Sequence, residues 1–245
     1  MSTSQQPGLS YKEIADAIVS FLEISIHTLL YLRQIYPPST FTRRRAHSVP
    51  VYQSRHPQVR AYIANVVSAL SGEVHAGKLR RMTMVIKGVA DGLPRERMVF
   101  DLGYLAEIDK LREGRNADVG LIGAPNADEL GLMLRGFLIK LNALDGQLLD
   151  IKDETTFAII VETNDSLEPL SNSAEDGSIP PWVPALANDT LQPPSSQDLE
   201  SGICPEKHEP LLNVKAVETG VIDIRLMVQE CVAKTGVQHL RPAVE

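Results

Sequence analysis

The closest approach of a thiol to an imidazole along this 245-residue chain is C-P-E-K-H, which sets Cys204 four residues before His208. Such donors could supply half of a tetrahedral metal site, but no partners follow at ligand spacing, so neither a metal nor another cofactor is expected. With Cys231 as the only other cysteine, the chain lacks a disulfide framework and suits a reducing compartment, cytosol or nucleus. Carboxylates are plentiful but scattered, and nothing selects a pair for acid-base work. There is no G-x-x-x-x-G-K-[ST] or G-x-G-x-x-G phosphate loop, no H-E-x-x-H and no G-x-S-x-G elbow. The residues therefore point to a binding module rather than an enzyme. Two polar features remain. His27, inside the apolar run FLEISIHTLLYLRQIYP, reads as a satisfied core histidine. Arg43, Arg44 and Arg45, in FTRRRAHSVPVYQ, suit a solvated strand edge or a local phosphate or acidic-partner contact.

Composition bounds the rest. Apolar residues make up 43%, enough for a core, and the formal charge of −7 argues against a surface that grips nucleic acid as a whole. No strong direct nucleic-acid binding is expected, and any contact would be local. The opening MSTSQQPGLS lacks the blocks of a secretory signal. No run approaches the roughly 18 uncharged apolar residues of a membrane span. An intracellular protein without a membrane partner is expected.

The elements that must position these residues follow from periodicity. Ser10 and Glu13 form a capping box opening a helix that should run to Tyr36, where Pro37 halts it; it is apolar on most sides and should be covered on most sides. HPQVRAYIANVVSAL gives a second helix opened by Pro57, with Tyr62 beside its apolar stripe. In KLRRMTMVIKG, Met82, Met84 and Ile86 alternate with Arg81, Thr83 and Val85, as in a half-buried strand. Asp91-Gly92 turns it into a hairpin with RERMVFDL. Residues 111–123, LREGRNADVGLIG, read as loop. Asn126 and Glu129 cap a third helix whose stripe is Leu130, Met133, Leu134, Phe137, Leu138, Leu141 and Leu144. TTFAIIVET, LLNVKAV and VIDIRLMVQECV are strands. Between the first and second of these, residues 164–210 carry half of the sixteen prolines and many Ser, Asp and Glu, the composition of a mobile segment, with the only tryptophan, Trp182, in PPWVPAL. The fold class is α+β, one domain with a mobile, tryptophan-bearing C-terminal third.

The stretches ADAIVSFLEISIHTLLYLRQIYPPSTF, VPVYQSRHPQVRAYIANVV and LMLRGFLIKLNALDGQL resemble the HORMA-domain family, in its branch of accessory subunits of DNA polymerase zeta, over about residues 11–232. The resemblance implies a central antiparallel sheet packed on three main helices. It implies a flexible N-terminus over residues 1–10, a core over 11–163, a C-terminal safety belt with returning strands over 164–232, and a flexible tail over 233–245. It also implies a non-catalytic adaptor of translesion synthesis in the nucleus, where the belt wraps a peptide of the polymerase catalytic subunit that adds to the sheet as a strand. Checkpoint or chromosome signalling, or the choice of double-strand-break repair pathway, through other peptides is the alternative. By position, Tyr62, Trp182 and Pro184 would hold the peptide, Pro184 standing where the family has a leucine. Leu211, Arg225 and Met227 would dock the C-terminal domain of a scaffolding Y-family polymerase, with Arg225 and Met227 in place of a glutamine and a tyrosine. Arg135 would sit at a HORMA dimer contact, and a remodelling AAA+ ATPase is a further implied partner.

Overall fold

A computed structural model describes residues 8–105, 119–164, 182–191, 211–231 and 234. Helix α1 (Tyr11–Leu32) opens on the expected capping box, the Ser10 side chain accepting from the Glu13 amide and the Glu13 carboxylate from the Ser10 amide. It ends four residues before the expected Tyr36. Gln34 adopts a positive φ of 53°, its amide bonds back to Tyr31 and that of Ile35 to Leu30, which closes the helix in a Schellman turn. No glycine marks that turn in the sequence. Ile35 becomes buried beneath it.

Hairpin β1 (Phe41–Ala46) and β2 (Val49–Ser54) follows, turned by His47 and Ser48, both at positive φ. Tyr31 of α1 holds it, stacked on Tyr52 at 3.5 Å and edge-on to Phe41 at 5.5 Å. Helix α2 (Pro57–His75), strands β3 (Leu79–Gly88) and β4 (Pro94–Tyr104), helix α3 (Ala127–Asn142) and strand β5 (Thr155–Thr163) complete the first part. The chain returns as β6 (Leu211–Val217) and β7 (Ile222–Glu230). Five strands pair antiparallel in the order β5-β3-β4-β7-β6, so the C-terminal hairpin extends the sheet from β4 and β5 forms the opposite edge.

One face of this sheet, carrying Met82, Met84, Ile86, Met98, Phe100, Ile224, Leu226 and Val228, shares a single apolar core with α1, α2 and α3. Phe21 of α1 meets Phe137 of α3 edge-on at 4.7 Å. By length and mean hydropathy, 1.5 over its apolar window, α1 could cross a bilayer, although Asp16 and Glu23 interrupt it and no uncharged apolar run of 18 residues occurs in it, as expected. Its apolar positions are instead covered by protein, because a helix apolar on most sides finds that cover between two helices and a sheet. His27 lies buried in it and its Nδ1 accepts from the Ser54 amide at 3.4 Å, the core role expected.

Strand β3 departs from the half-buried expectation. Thr83 and Val85 are as buried as Met82 and Met84, and Val99 beside them on β4 is buried too. Residues 182–191 account for part of this cover. Asp189 pairs with Lys87 at 2.8 Å, and the Asn188 carbonyl accepts from Arg97 at 2.5 Å, both on the face away from the helices. At the end of the sheet Arg33 donates to Glu96 at 2.9 and 2.6 Å, to Asp145 at 2.5 Å and to the Leu149 carbonyl at 2.6 Å. Lys234 reaches the same Glu96 and also Glu230, so the knot ties α1 and the turn after α3 to the C-terminal strand.

Candidate functional site

Strand β5 borders the sheet, and its register decides what it offers. The Val89 amide donates to the Glu154 carbonyl, so even-numbered residues of β5 turn their backbone groups toward β3. Phe157, Ile159 and Val161 therefore turn their amides and carbonyls outward. No strand pairs with that edge among the described residues. Such an edge is a template for an added strand.

An aromatic group closes over it. Tyr62 of α2 stands edge-on to Phe157, centroids 5.4 Å apart at 83°, and Tyr36 also meets Phe157 edge-on at 6.3 Å. Tyr62 is still 41% exposed. Burial raises its phenol above the ordinary tyrosine value, and the outward amide of Ile159 opposes this by hydrogen-bonding to the hydroxyl. Tyr36 is raised by burial alone. The edge thus presents backbone groups beside a half-exposed ring, the combination that a strand with an apolar side chain would satisfy.

Trp182, half-buried, packs on the core shared with the helices, whereas Asn188 and Asp189 bind the opposite face. The segment 182–191 therefore links the two faces of the sheet. Pro184 is exposed within it. The remainder of the expected belt, residues 165–181 and 192–210, lies outside the described residues, as do Cys204, His208, residues 1–7 and most of the loop expected at 111–123.

Leu211, Arg225 and Met227 come together. Leu211 is opposite Gln229, Met227 opposite Asn213 and Arg225 opposite Ala216, which puts all three on the face of the β6–β7 hairpin away from the helices. Leu211 and Arg225 are exposed and Met227 is half-buried. Four strand intervals of about 4.8 Å place this hairpin's edge about 19 Å from β5.

Arg135 is exposed on α3, opposite the buried stripe of Leu130, Leu134, Phe137, Leu138 and Leu141. Leu132, 65% exposed, and Ile139, 51% exposed, stand three residues before and four after it, so the arginine is flanked by apolar surface on its own side of the helix. Sequence reading passed over both residues. They carried a signal, since neither belongs to the core stripe of α3. Phe157 and Tyr36 were equally hidden, one reading as strand core and the other as a helix end.

The HORMA domain family model matches residues 15–120. The DNA polymerase zeta processivity subunit of Schizosaccharomyces pombe is 30% identical over 175 residues, 71% of this chain and 79% of that protein. The mitotic spindle assembly checkpoint protein MAD2B of Gallus gallus is 24% identical over 232 residues, covering 94% and 97%. Among solved structures, a chain of the mitotic checkpoint complex superposes with a TM-score of 0.66 at 17% identity, covering 89% of this chain and 99% of that one. The C. elegans protein HTP-2 bound to the HIM-3 closure motif gives 0.64 at 9% identity, covering 91% and 92%.

Proposed function

The chain belongs to the HORMA-domain family, in the branch of the DNA polymerase zeta accessory subunits, and from that footing we propose that it is a non-catalytic, peptide-binding adaptor in translesion synthesis. The observation that carries this reading is the unpaired edge of β5, with Phe157, Ile159 and Val161 turned outward beside Tyr62. A peptide of the polymerase zeta catalytic subunit would add there as a strand, taking its affinity from backbone hydrogen bonds and its specificity from the Tyr62 and Trp182 rings. The segment around Trp182 and Pro184 would close over it as a belt. Release would then require moving that segment, the step a remodelling AAA+ ATPase would drive.

Leu211, Arg225 and Met227 would receive the C-terminal domain of a Y-family polymerase. Because that hairpin face and the β5 edge lie at opposite borders of one sheet, both ligands could be held at once, which is what a bridge needs. Arg135 with Leu132 and Ile139 would form a contact with a second HORMA protein. The site of action would be the nucleus.

A second reading rests on the names of relatives. The Gallus gallus protein is a spindle assembly checkpoint protein, and the HTP-2 structure holds a closure motif. The same β5 edge could therefore serve checkpoint or chromosome signalling, or double-strand-break repair, through a different peptide.

Titration of the chain with a peptide from the polymerase zeta catalytic subunit, followed by calorimetry and hydrogen exchange, tests the proposal. Binding with new protection at Phe157 and Val161 is expected. Saturable binding that leaves those amides unchanged would place the peptide elsewhere, and no binding at all would favour the second reading.

A further inference from the structure

From residue 24 to residue 72 the sequence contains six arginines and not one aspartate, glutamate or lysine, within a chain whose formal charge is −7. Arg33 is consumed by the buried knot with Glu96. The other five, Arg43, Arg44, Arg45, Arg55 and Arg60, are all exposed, on hairpin β1–β2 and the start of α2 that follows it. Arg55 donates to the carbonyl of Ser39. Arg43, Arg44 and Arg45 have no acidic partner among the described residues, whereas the half-buried Arg81 on β3 is paired with Asp101 and Glu162.

We propose that hairpin β1–β2 is a contact surface for the phosphate backbone of nucleic acid, separate from the peptide edge of β5 and independent of the function assigned to that edge. Three observations carry it. The hairpin is fixed rather than free, since Tyr31 stacks on Tyr52 and meets Phe41, the residues paired with Arg43 and Ser54 in the ladder. The arginines on it line one open cleft of about 520 Å³. Along an extended strand Arg43 and Arg45 project to one side about 6.8 Å apart, close to the distance between neighbouring phosphates on an extended nucleic-acid strand.

Arginine supplies planar, bidentate donors that match a phosphate, and it holds its charge at any pH the fold survives. An acidic peptide is the competing ligand. Peptide recognition uses apolar anchors beside the charges, and Arg43, Arg44 and Arg45 have none exposed next to them on the hairpin, where Phe41, Val49 and Val51 are all buried. A uniform polyanion needs no such anchor. The acidic remainder of the chain would repel it everywhere else, so the contact would be local and weak, strongest when another part of an assembly already holds the nucleic acid nearby.

The test is fluorescence anisotropy of the full chain with a labelled 20-nucleotide single strand and with the matching duplex, each from 50 to 200 mM salt. Wild type should bind both, with the logarithm of affinity falling against the logarithm of salt by about 0.7 per contacted phosphate on the single strand and about 0.9 on the duplex. The triple variant R43Q/R44Q/R45Q should lose about tenfold or more in affinity at 50 mM salt and most of that slope. The triple arginine-to-lysine variant should keep the slope, and Lys140→Gln, on exposed α3, should behave as wild type. Failure of the wild type to bind at 50 mM salt would overturn the proposal, as would a triple glutamine variant, folded by its thermal transition, that binds unchanged. Poly-glutamate competing as well as DNA at equal charge would overturn it in favour of an acidic protein partner. A change in sedimentation mass in the glutamine variant, with DNA binding intact, would assign the surface to a second copy of the chain.

Discussion

The ring of Tyr62 stands edge-on to that of Phe157, 5.4 Å between centroids, so that a residue on helix α2 and one on the border strand β5 together make the wall of the unpaired sheet edge. Removal of that wall should cost binding rather than folding, because Tyr62 is exposed to a large degree. A ring at an interface centre typically contributes on the order of 2 to 4 kcal/mol, so Tyr62→Ala should weaken a catalytic-subunit peptide by roughly 30- to 1000-fold in calorimetry. Trp182→Ala should act in the same range. As both would touch one ligand, the double variant should lose less than the sum. Tyr62→Phe separates the ring from its hydroxyl, and should retain most of the affinity if the ring is the anchor.

The α3 surface predicts a contact of a different kind. With Leu132 and Ile139 exposed on either side, Arg135→Ala should shift a self-associating sample toward monomer in sedimentation equilibrium, and Leu132→Asp should do so more strongly. Neither should change the thermal transition by more than a few degrees. An unshifted mass in a clearly dimeric wild type would put the contact elsewhere.

Arg33 and Glu96 form a buried pair in which both partners are also bonded to other groups. Glu96→Gln leaves the guanidinium and the Lys234 ammonium without their shared carboxylate, and should destabilise the fold by about 3 to 5 kcal/mol in chemical denaturation. Replacing Arg33 and Glu96 together by methionine should cost less than the two single changes added. If the single variants cost under about 1 kcal/mol, the knot contributes no net stability.

His27 predicts a pH dependence. Burial, and secondarily the charge of Arg60, lower its pKa from 6.5 to about 4 in the fold. Between those values the unfolded chain binds a proton that the native chain refuses, so stability should be full above pH 6.5 and fall as pH drops toward 4. The loss from this group approaches about 3 kcal/mol at the acid end. His27→Asn keeps an acceptor for the Ser54 amide and should flatten the curve in that window, as read from denaturant midpoints across pH.

How much of this was legible in the sequence depended on how local the cause was. The capping boxes at Ser10 and Asn126 are set by side chains three residues from their partners, and both helices begin where those residues say. Strand β5 spans Thr155–Thr163 as read, although Ile160 is buried as deeply as Ile159, and the turn at Asp91-Gly92 uses a glycine at φ 69° as the dipeptide implies. The end of α1 was misplaced because a Schellman turn at Gln34 is sealed by burial of Ile35, which is a tertiary event. The two-sided burial of β3 was invisible for a related reason. Thr83 and Arg81 look like an outward face, and only the return of a segment some hundred residues later, pinned by Asp189 and Asn188, covers part of it.

Sequence by itself determined the fold class, the helix starts, the strand periods and, through a resemblance spread over three segments, the family. It also placed Tyr62, Trp182, Leu211, Arg225, Met227 and Arg135 as residues to watch. Tertiary structure alone decided which strand borders the sheet. It also decided which backbone groups of β5 turn outward, that Tyr62 meets Phe157, and that Leu211, Arg225 and Met227 share one face while Leu132 and Ile139 flank Arg135. The physical reason is range: capping, turn geometry and periodicity are settled within a few residues. Strand order and register are chosen only when segments far apart in the chain compete for the same buried face.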